Sequence, residues 1–394
     1  MSHMKRYTVL GFLWLSHFLI DFSLGIFPIY KTIAGLDIAT MGIIAGIAVF
    51  IGEALQLYFG LLSDRGYRQL LIIIGISVTS CAVFASCTKD YFVLYLLFQA
   101  TTLGSGCFHP AAVALAGSLS KRSKGLFITV FATGGAIGFG VSQLIFSTIY
   151  LKIGSYCLFL IIPSLLITII LMFYKLEQNF TKNNFLQTKI TFKSICDLFK
   201  KKHLTCLYFT QICNKIVFWG TIFLLPDLLC RRNYDKWICF GGGHLSFVLG
   251  GALMMIPSGL LADKYSYRTV ILTASCLSAF FFFTFLNFPL ISNSSLLLLF
   301  FFMGASIMTV GPLIVAFGNK LYPEESGIVS AFLMGFALCL ANPIGQTGAG
   351  LLTKLFDENA ETKSLSILGL FFFVGLAISS FLPKKIENYK NIQV

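Results

Sequence analysis

The chain has 394 residues, of which 57% are hydrophobic and only 11% are charged, and its mean hydropathy is +0.84. A soluble domain carries about 25% charged residues, so this composition excludes a water-facing globular fold and predicts an integral membrane protein. The formal net charge of +13 does not indicate a nucleic-acid partner, because Lys and Arg in the loops of a membrane protein set its orientation.

Twelve apolar stretches follow one another along the chain, and each is long enough to cross a hydrocarbon core of about 30 Å as a helix. The first contains His17 and Asp21 and has no small-residue cleavage site, so we expect a membrane helix there and not a signal peptide. The sequence therefore predicts an all-α polytopic membrane protein. Its twelve spans are 9–30, 40–62, 69–87, 91–117, 125–150, 156–174, 204–230, 240–262, 269–288, 294–321, 327–356 and 365–382.

The longest polar stretch separates the sixth span from the seventh and divides the chain into two halves. We predict an N-terminal six-helix half over 1–174, a basic linker over 175–203 and a C-terminal six-helix half with a short tail over 204–394. Both termini, this linker and the loops on the same side hold 20 of the 29 Lys and Arg residues. The positive-inside rule therefore predicts that both termini are cytoplasmic, and we expect the bacterial inner membrane as the location.

A short polar motif after the second span recurs after the eighth. The two copies are centred on Asp64 and Asp263, which are 199 residues apart. Duplicated six-helix halves are typical of secondary transporters that rock around a central site. An ion pair at a helix end can form in one conformation and break in another, so we expect these loops to act in gating. The gating residues that this predicts are Gly60, Asp64, Arg65, Arg68, Asp263 and Arg268.

The doubled loop motif resembles the signature loop of the major facilitator superfamily, and the twelve-span plan extends the resemblance over essentially the whole chain. Two further motifs are similar to segments of fosmidomycin-resistance-type exporters: residues 16–21 in the first span, followed by Pro28, and residues 104–110 in the fourth. Membership would imply drug efflux driven by proton influx. The chain departs from the pattern at Ala111, an acid in some relatives, and at Glu53, where a small or neutral residue is expected.

Four ionisable side chains of the N-terminal spans are candidates for proton coupling. A charge at the centre of a membrane helix costs about 2.5–3.5 kcal/mol, so such groups usually mark a pathway or a paired site. His17, Glu53 and His109 lie at similar depths, roughly 12–14 Å from the cytoplasmic ends of their spans. Asp21 lies one turn beyond His17 on the same helical face. We expect these four residues to form a proton site; the alternative is a static cluster that fixes the helices together.

Lys215 in the seventh span is the main candidate for binding an anionic substrate. Gln211 lies one turn earlier on the same face and Asn214 is adjacent, so a carboxylate or phosphate can bind between an ammonium and two amides. The alternative is a permanent salt bridge from Lys215 to Asp21 or Glu53. Secondary candidates for substrate binding are the amides of Asn342, Gln346 and Gln143, for which interhelical hydrogen bonding is the commoner role.

Neither metal-ligand spacing nor a nucleophile paired with a base is recognisable in the sequence, so we expect no enzyme, no metal and no cofactor. The eleven cysteines lie mostly in apolar runs. Only Cys230 and Cys239, which flank a polar loop, are placed to form a disulfide, and the sequence leaves that pairing open.

The sequence as a whole predicts a secondary active transporter that works by alternating access, coupled to protons and functioning as a monomer. Its expected partners are a small polar or anionic solute or drug, protons and membrane lipids, with no nucleic acid. Efflux by proton antiport is what the resemblance implies. Proton-coupled uptake of a small anionic or zwitterionic metabolite is the alternative, and a membrane-embedded enzyme is a remote one.

Overall fold

A computed structural model describes residues 3–120, 124–176, 197–288 and 291–384. Within these ranges the chain forms helices joined by turns, and no strand occurs among them. Most of the linker predicted over 175–203 lies outside the described residues. The helices are α1 (His3–Leu24), α2 (Ile26–Ile33), α3 (Ile38–Leu62), α4 (Arg68–Thr79), α5 (Tyr91–Ser118), α6 (Lys124–Ile153), α7 (Ile162–Phe173), α8 (Lys202–Arg231), α9 (Gly243–Lys264), α10 (Tyr267–Asn287), α11 (Asn293–Leu321), α12 (Ser326–Ser330), α13 (Ala337–Thr353) and α14 (Ala360–Ser379).

Ten helical stretches of the described residues are long and apolar enough to cross a membrane. Two of them, Ile38–Cys87 and Lys124–Phe173, have 50 residues each, whereas a hydrocarbon core of about 30 Å needs about 20. Each covers two predicted spans and turns near a glycine of positive φ, Gly66 at 101° and Gly154 at 57°. The all-helical membrane fold predicted from the sequence is confirmed, while the count of twelve spans stays a prediction.

The chain divides into two compact units. Two short segments belong to a different unit from the residues that precede and follow them in the sequence. Residues at the start of α3 group with the second unit, and residues around the start of α9 group with the first. The first unit comprises Met1–Asp37, Ile47–Leu186 and Phe240–Leu245, and the second comprises Ile38–Gly46, Gln187–Cys239 and Ser246–Val394.

Close helix packing in the first unit depends on small residues. Gly134, Gly135 and Gly138 of α6 lie directly against α1, and Gly106 of α5 lies against α3, where a Cβ would come 2.7 Å from the carbonyl oxygen of Gly52. Lipid tails are as apolar as the helices, so close backbone packing takes over much of the role that the hydrophobic effect has in water. These contacts hold α1, α3, α5 and α6 around the ionisable side chains of this unit.

In the second unit, α8 is the central helix and is buried along most of its length. Gly345 of α13 lies against it, so that a Cβ there would come 2.6 Å from the carbonyl oxygen of Ile216. At the end of α8, Arg231 Nε lies 2.9 Å from the buried carboxylate of Glu361. The adjacent Arg232 donates to the carbonyls of the last turn of α10, at 2.7 and 2.8 Å. The end of α8 is therefore fixed to α10 and α14.

Two cysteines near the loop after α8 remain separate. Cys230 and Cys239 are both free thiols, and Cys239 Sγ donates to the carbonyl oxygen of Tyr234 at 3.1 Å. The disulfide that the sequence left open is therefore not formed in this structure.

Candidate functional site

Three ionisable side chains of the first unit meet at Asp21. On α1, His17 Nε2 lies 3.3 Å from Asp21 Oδ2, and His109 of α5 places its Nε2 3.6 Å from Asp21 Oδ1. The two imidazole rings are 5.1 Å apart between centroids and nearly perpendicular. Each carboxylate oxygen of Asp21 thus faces one ring nitrogen. We call His17, Asp21 and His109 the Asp21 triad.

The second nitrogen of each imidazole fixes the tautomer. His17 Nδ1 lies 3.0 Å from the carbonyl oxygen of Phe131, and His109 Nδ1 lies 2.9 Å from the carbonyl oxygen of Ser105. A carbonyl oxygen can only accept, so both Nδ1 atoms carry a hydrogen and donate it. Each Nε2 therefore faces Asp21 either as a bare lone pair or, when the ring is charged, as an N–H donor. Its contact with an ionised carboxylate is attractive only in the charged form.

Local packing explains why the triad forms here. His17 and Asp21 are four residues apart, so they share one face of α1, and the absence of a side chain at Gly135 of α6 leaves room for both. The His17 ring stacks on Phe131 at 4.3 Å between centroids. The position of the imidazole is thus fixed by an aromatic face on one side and by a carbonyl hydrogen bond at Nδ1.

Glu53 of α3 lies next to this triad. Its Oε2 accepts a hydrogen bond from Gln56 Nε2 at 2.7 Å, and its charge interacts electrostatically with that of His109. Among the described residues, no Lys, Arg or His nitrogen lies within 4.0 Å of its carboxylate. Gln56 was not predicted from the sequence, although its spacing of three residues from Glu53 was a usable signal.

In the second unit, Lys215 of α8 lies beside an aromatic ring. Its Nζ is 4.7 Å from the centre of the Phe218 ring, a distance at which an ammonium and an aromatic face attract each other. Within the described part of its own unit, no carboxylate lies within 4.0 Å of Nζ. Gln211 lies on the same face, and both side chains lie against Gly311 of α11, where a Cβ would be 3.3 Å from Gln211 Nε2 and from Lys215 Cε.

The predicted amides of this unit are buried and incompletely bonded. Gln211, Asn214, Asn342 and Gln346 are all at most 5% exposed. Both amide atoms of Asn214, Oε1 of Gln211 and Oδ1 of Asn342 have no hydrogen-bond partner among the described residues. A buried polar atom without a partner costs about 1–3 kcal/mol, so these atoms need water or a ligand. In the first unit, both amide atoms of the buried Gln143 also have no hydrogen-bond partner among the described residues.

The two copies of the predicted gating motif differ in their contacts. In the first copy, a guanidinium nitrogen of Arg68 lies 3.6 Å from Oδ1 of Asp64, whose side chain is 73% exposed. The predicted gating residue Arg65 is exposed. The predicted gating residue Gly60 lies near α5, since a Cβ there would be 3.8 Å from Cβ of Pro110.

In the second copy, Asp263 is 2.5 Å from Lys320 Nζ and accepts from Tyr267 at 2.9 Å, and Arg268 is half-buried on α10. Lys320 was not predicted, since it lies outside the motif at the end of α11.

Comparison with known proteins places the chain in a family. Residues 10–346 match the Major Facilitator Superfamily. Two relatives in Bacillus subtilis (strain 168) are uncharacterised MFS-type transporters: YfnC, 23% identical over 374 residues, which are 90% of this chain and 87% of YfnC, and YuxJ, 20% identical over 354 residues, which are 87% of this chain and 88% of YuxJ.

Solved structures show the same fold. A bacterial homologue of the human lysosomal transporter Spinster superimposes with a TM-score of 0.79 and 15% identity, over 96% of this chain and 97% of that one. A point mutant of the nucleoside transporter NupG gives a TM-score of 0.77 and 13% identity, over 95% of this chain and 99% of that one. With the family match covering most of its length, the chain belongs to the Major Facilitator Superfamily and is a membrane transporter, not an enzyme.

Proposed function

We propose that the protein is a secondary active transporter that works by alternating access and is coupled to protons. The observation that carries this proposal is the Asp21 carboxylate between two imidazoles whose Nδ1 atoms both donate to backbone carbonyls. In this proposal the two contacts with Asp21 are the places where protons bind and leave. In this proposal both termini are cytoplasmic and the membrane is the bacterial inner membrane, as the distribution of Lys and Arg supports.

Proton binding has a direct consequence for the helices that meet at Asp21. When Asp21 is ionised and His109 is charged, Nε2–H attracts the carboxylate and holds α5 against α1. When that proton leaves, a nitrogen lone pair faces a carboxylate oxygen and the contact becomes repulsive. The proton therefore biases the packing of α5 on α1, which is the kind of two-state element that coupling requires.

The substrate in this proposal is a small polar or anionic solute or drug. Lys215 supports it, because a cation without a carboxylate partner in its own unit is suited to bind a negative group. The unpartnered amide atoms of Gln211, Asn214 and Asn342 support it further, because they can bond polar groups of the same ligand.

Two directions of transport are candidates. Similarity to fosmidomycin-resistance-type exporters favours efflux by proton antiport. Uptake of a small anionic or zwitterionic metabolite by proton symport is the second candidate, and Lys215 is the observation that favours it. Both directions use the same coupling site.

The test is transport in proteoliposomes, with fosmidomycin and succinate as labelled probes under an imposed pH gradient. We expect the wild type to accumulate at least one probe against its gradient. Asp21→Asn should lose this accumulation but keep exchange of the probe at zero gradient, because the amide cannot ionise. Asp357→Asn, at an exposed acid in the loop before α14, is the matched control and should behave as the wild type.

Two results would contradict the proposal. Full accumulation by Asp21→Asn would remove Asp21 from coupling. Accumulation by the wild type that depends on a Na⁺ gradient and not on pH would replace the proton as the coupling ion.

A further inference from the structure

We propose that Glu53 is a second proton station of the transporter, which exchanges a proton with the Asp21 triad and is positioned by Gln56. This inference rests on the proposed proton coupling. It assigns a separate role to a carboxyl that the triad does not include, and it adds Gln56 as a positioning residue.

The first support is the close packing of α3 on α5. Gly106 of α5 lies against the carbonyl of Gly52, and a Cβ at Gly106 would also come 3.6 Å from Cγ of Gln56. Further along α3, a Cβ at Gly60 would lie 3.8 Å from Cβ of Pro110. This stretch of α3 therefore runs along the turns of α5 that carry His109, and the side chain of Gln56 is confined between the two helices.

The second support is the chemistry of the partner that Glu53 has. Gln56 Nε2 donates to Glu53 Oε2, and an amide N–H can donate both to an ionised carboxylate, where the bond is stronger, and to the carbonyl oxygen of a carboxylic acid. A Lys or Arg partner would hold the carboxylate in its charged form. With a neutral donor as its hydrogen-bond partner in the described chain, Glu53 is held in place in both protonation states.

The third support is the charge balance of the site. His109 of α5 is the ionisable side chain that interacts electrostatically with Glu53, and His109 in turn faces Asp21 of the triad. The helix α3 has no other charged residue. When His17 and His109 are both protonated and Asp21 is ionised, the Asp21 triad has a net charge of +1, which an ionised Glu53 neutralises. When His109 has lost its proton, the triad is neutral, and a protonated Glu53 keeps the whole site neutral.

Proton transfer between these two arrangements leaves the net charge unchanged. The N–H bond at His109 Nε2 breaks and an O–H bond forms at Glu53, directly or through a water molecule, so +1 and −1 become two neutral groups. Because a net charge is costly inside a membrane, the two neutral arrangements are the ones between which the proton moves. Glu53 thus receives the proton that the triad releases.

The test is infrared difference spectroscopy of the purified protein in lipid, following the carbonyl band of protonated carboxyls across a pH titration. We expect Glu53→Gln to remove one pH-dependent band. Glu324→Gln, at an exposed acid between α11 and α12, is the control and should leave that band in place. His109→Gln removes the neighbouring cation, so the Glu53 band should persist to higher pH, by about one unit.

Gln56→Ala tests the positioning role of Gln56 by itself, because it removes the amide donor and keeps the Glu53 carboxyl. We expect the Glu53 band to remain but to shift in frequency, since its hydrogen bond is lost. A spectrum unchanged by Glu53→Gln would overturn the role of Glu53, as would a band that His109→Gln does not move.

These results are independent of transport. Failure of the wild type to respond to a pH gradient in liposomes would instead overturn the proposed coupling, and it would leave the spectroscopic result on Glu53 intact.

Discussion

Gly135 of α6 lies against His17 and Asp21, so its replacement by alanine places a methyl group inside the coupling site. A Cβ there would lie 2.5 Å from His17 Cε1, and closer to His17 Nε2 and Asp21 Oδ2, whereas carbon contacts are optimal at about 3.5–4.0 Å. Overpacking of this kind costs about 1–3 kcal/mol. Alanine also favours a helix over glycine by about 0.5–1 kcal/mol, so the effect must be measured against a control that shares this gain.

Gly11→Ala is that control, because Gly11 lies in the interior of α1 and a Cβ there meets nothing within 4 Å. We expect Gly135→Ala to be less stable than Gly11→Ala by about 1–3 kcal/mol in unfolding of the purified protein. We also expect proton-driven transport to fall in Gly135→Ala alone, because the methyl group displaces His17 from the carboxylate. Equal stability and equal transport in the two variants would refute this account of the site.

Two further predictions concern charges of the second unit. Lys215→Ala should weaken binding of an anionic probe much more than Lys215→Arg does, because charge outweighs shape at a single contact; equal affinity of the wild type and Lys215→Ala in a binding titration would assign Lys215 a structural role. Arg231→Ala should destabilise the protein by up to about 3 kcal/mol, since it leaves the buried Glu361 carboxylate without its cation. Glu361→Gln in the same chain should restore most of that loss in thermal unfolding, and no restoration would contradict the pairing.

The fold followed from the sequence because the membrane leaves little choice. A 20-residue apolar run must form a helix when no water is present to bond its backbone, so hydropathy alone indicates the elements. The number of spans was harder to determine, because helix continues almost unbroken through the turns near Gly66 and Gly154. The sequence shows these turns only as short polar clusters.

The candidate site could be predicted only in part from the sequence, because some of its contacts lie within one helix and others lie between helices. The pairing of His17 with Asp21 is a property of helical spacing and was visible in the sequence. The approach of His109 depends on how α5 packs on α1, and the depth estimate placed it only roughly. The contact of Gly135 with His17 and Asp21 was missed because it comes from a neighbouring helix, and residue spacing within one helix cannot report such a contact. Gln56 was missed although its spacing of three residues from Glu53 was visible in the sequence.

The duplicated loop motif provides the last prediction, because its two copies form ion pairs of different quality. Asp64 has one contact of 3.6 Å to Arg68 and is 73% exposed. Asp263 combines a 2.5 Å pair to Lys320 with a hydrogen bond from Tyr267, and Lys320 Nζ lies 4.7 Å from the centre of the Tyr267 ring. We therefore expect Asp263→Asn to loosen its loop more than Asp64→Asn loosens the other.

The expected change in hydrogen exchange follows from the free energy that each ion pair contributes, and both aspartates are exposed. An exposed ion pair contributes about 0.2–1 kcal/mol, so the second copy should be near the upper end of that range and the first near the lower. Hydrogen exchange in lipid should then increase about two- to five-fold at the loop between α9 and α10 and at the end of α11 in Asp263→Asn. The loop between α3 and α4 should change little in Asp64→Asn.

A double variant distinguishes the ion pair from a general effect of the substitution. Lys320→Ala added to Asp263→Asn should raise exchange no further, because the pair is already broken. If Asp64→Asn instead had the larger effect, the contacts seen here would not determine loop stability. The gating role predicted for the motif would then depend on its first copy.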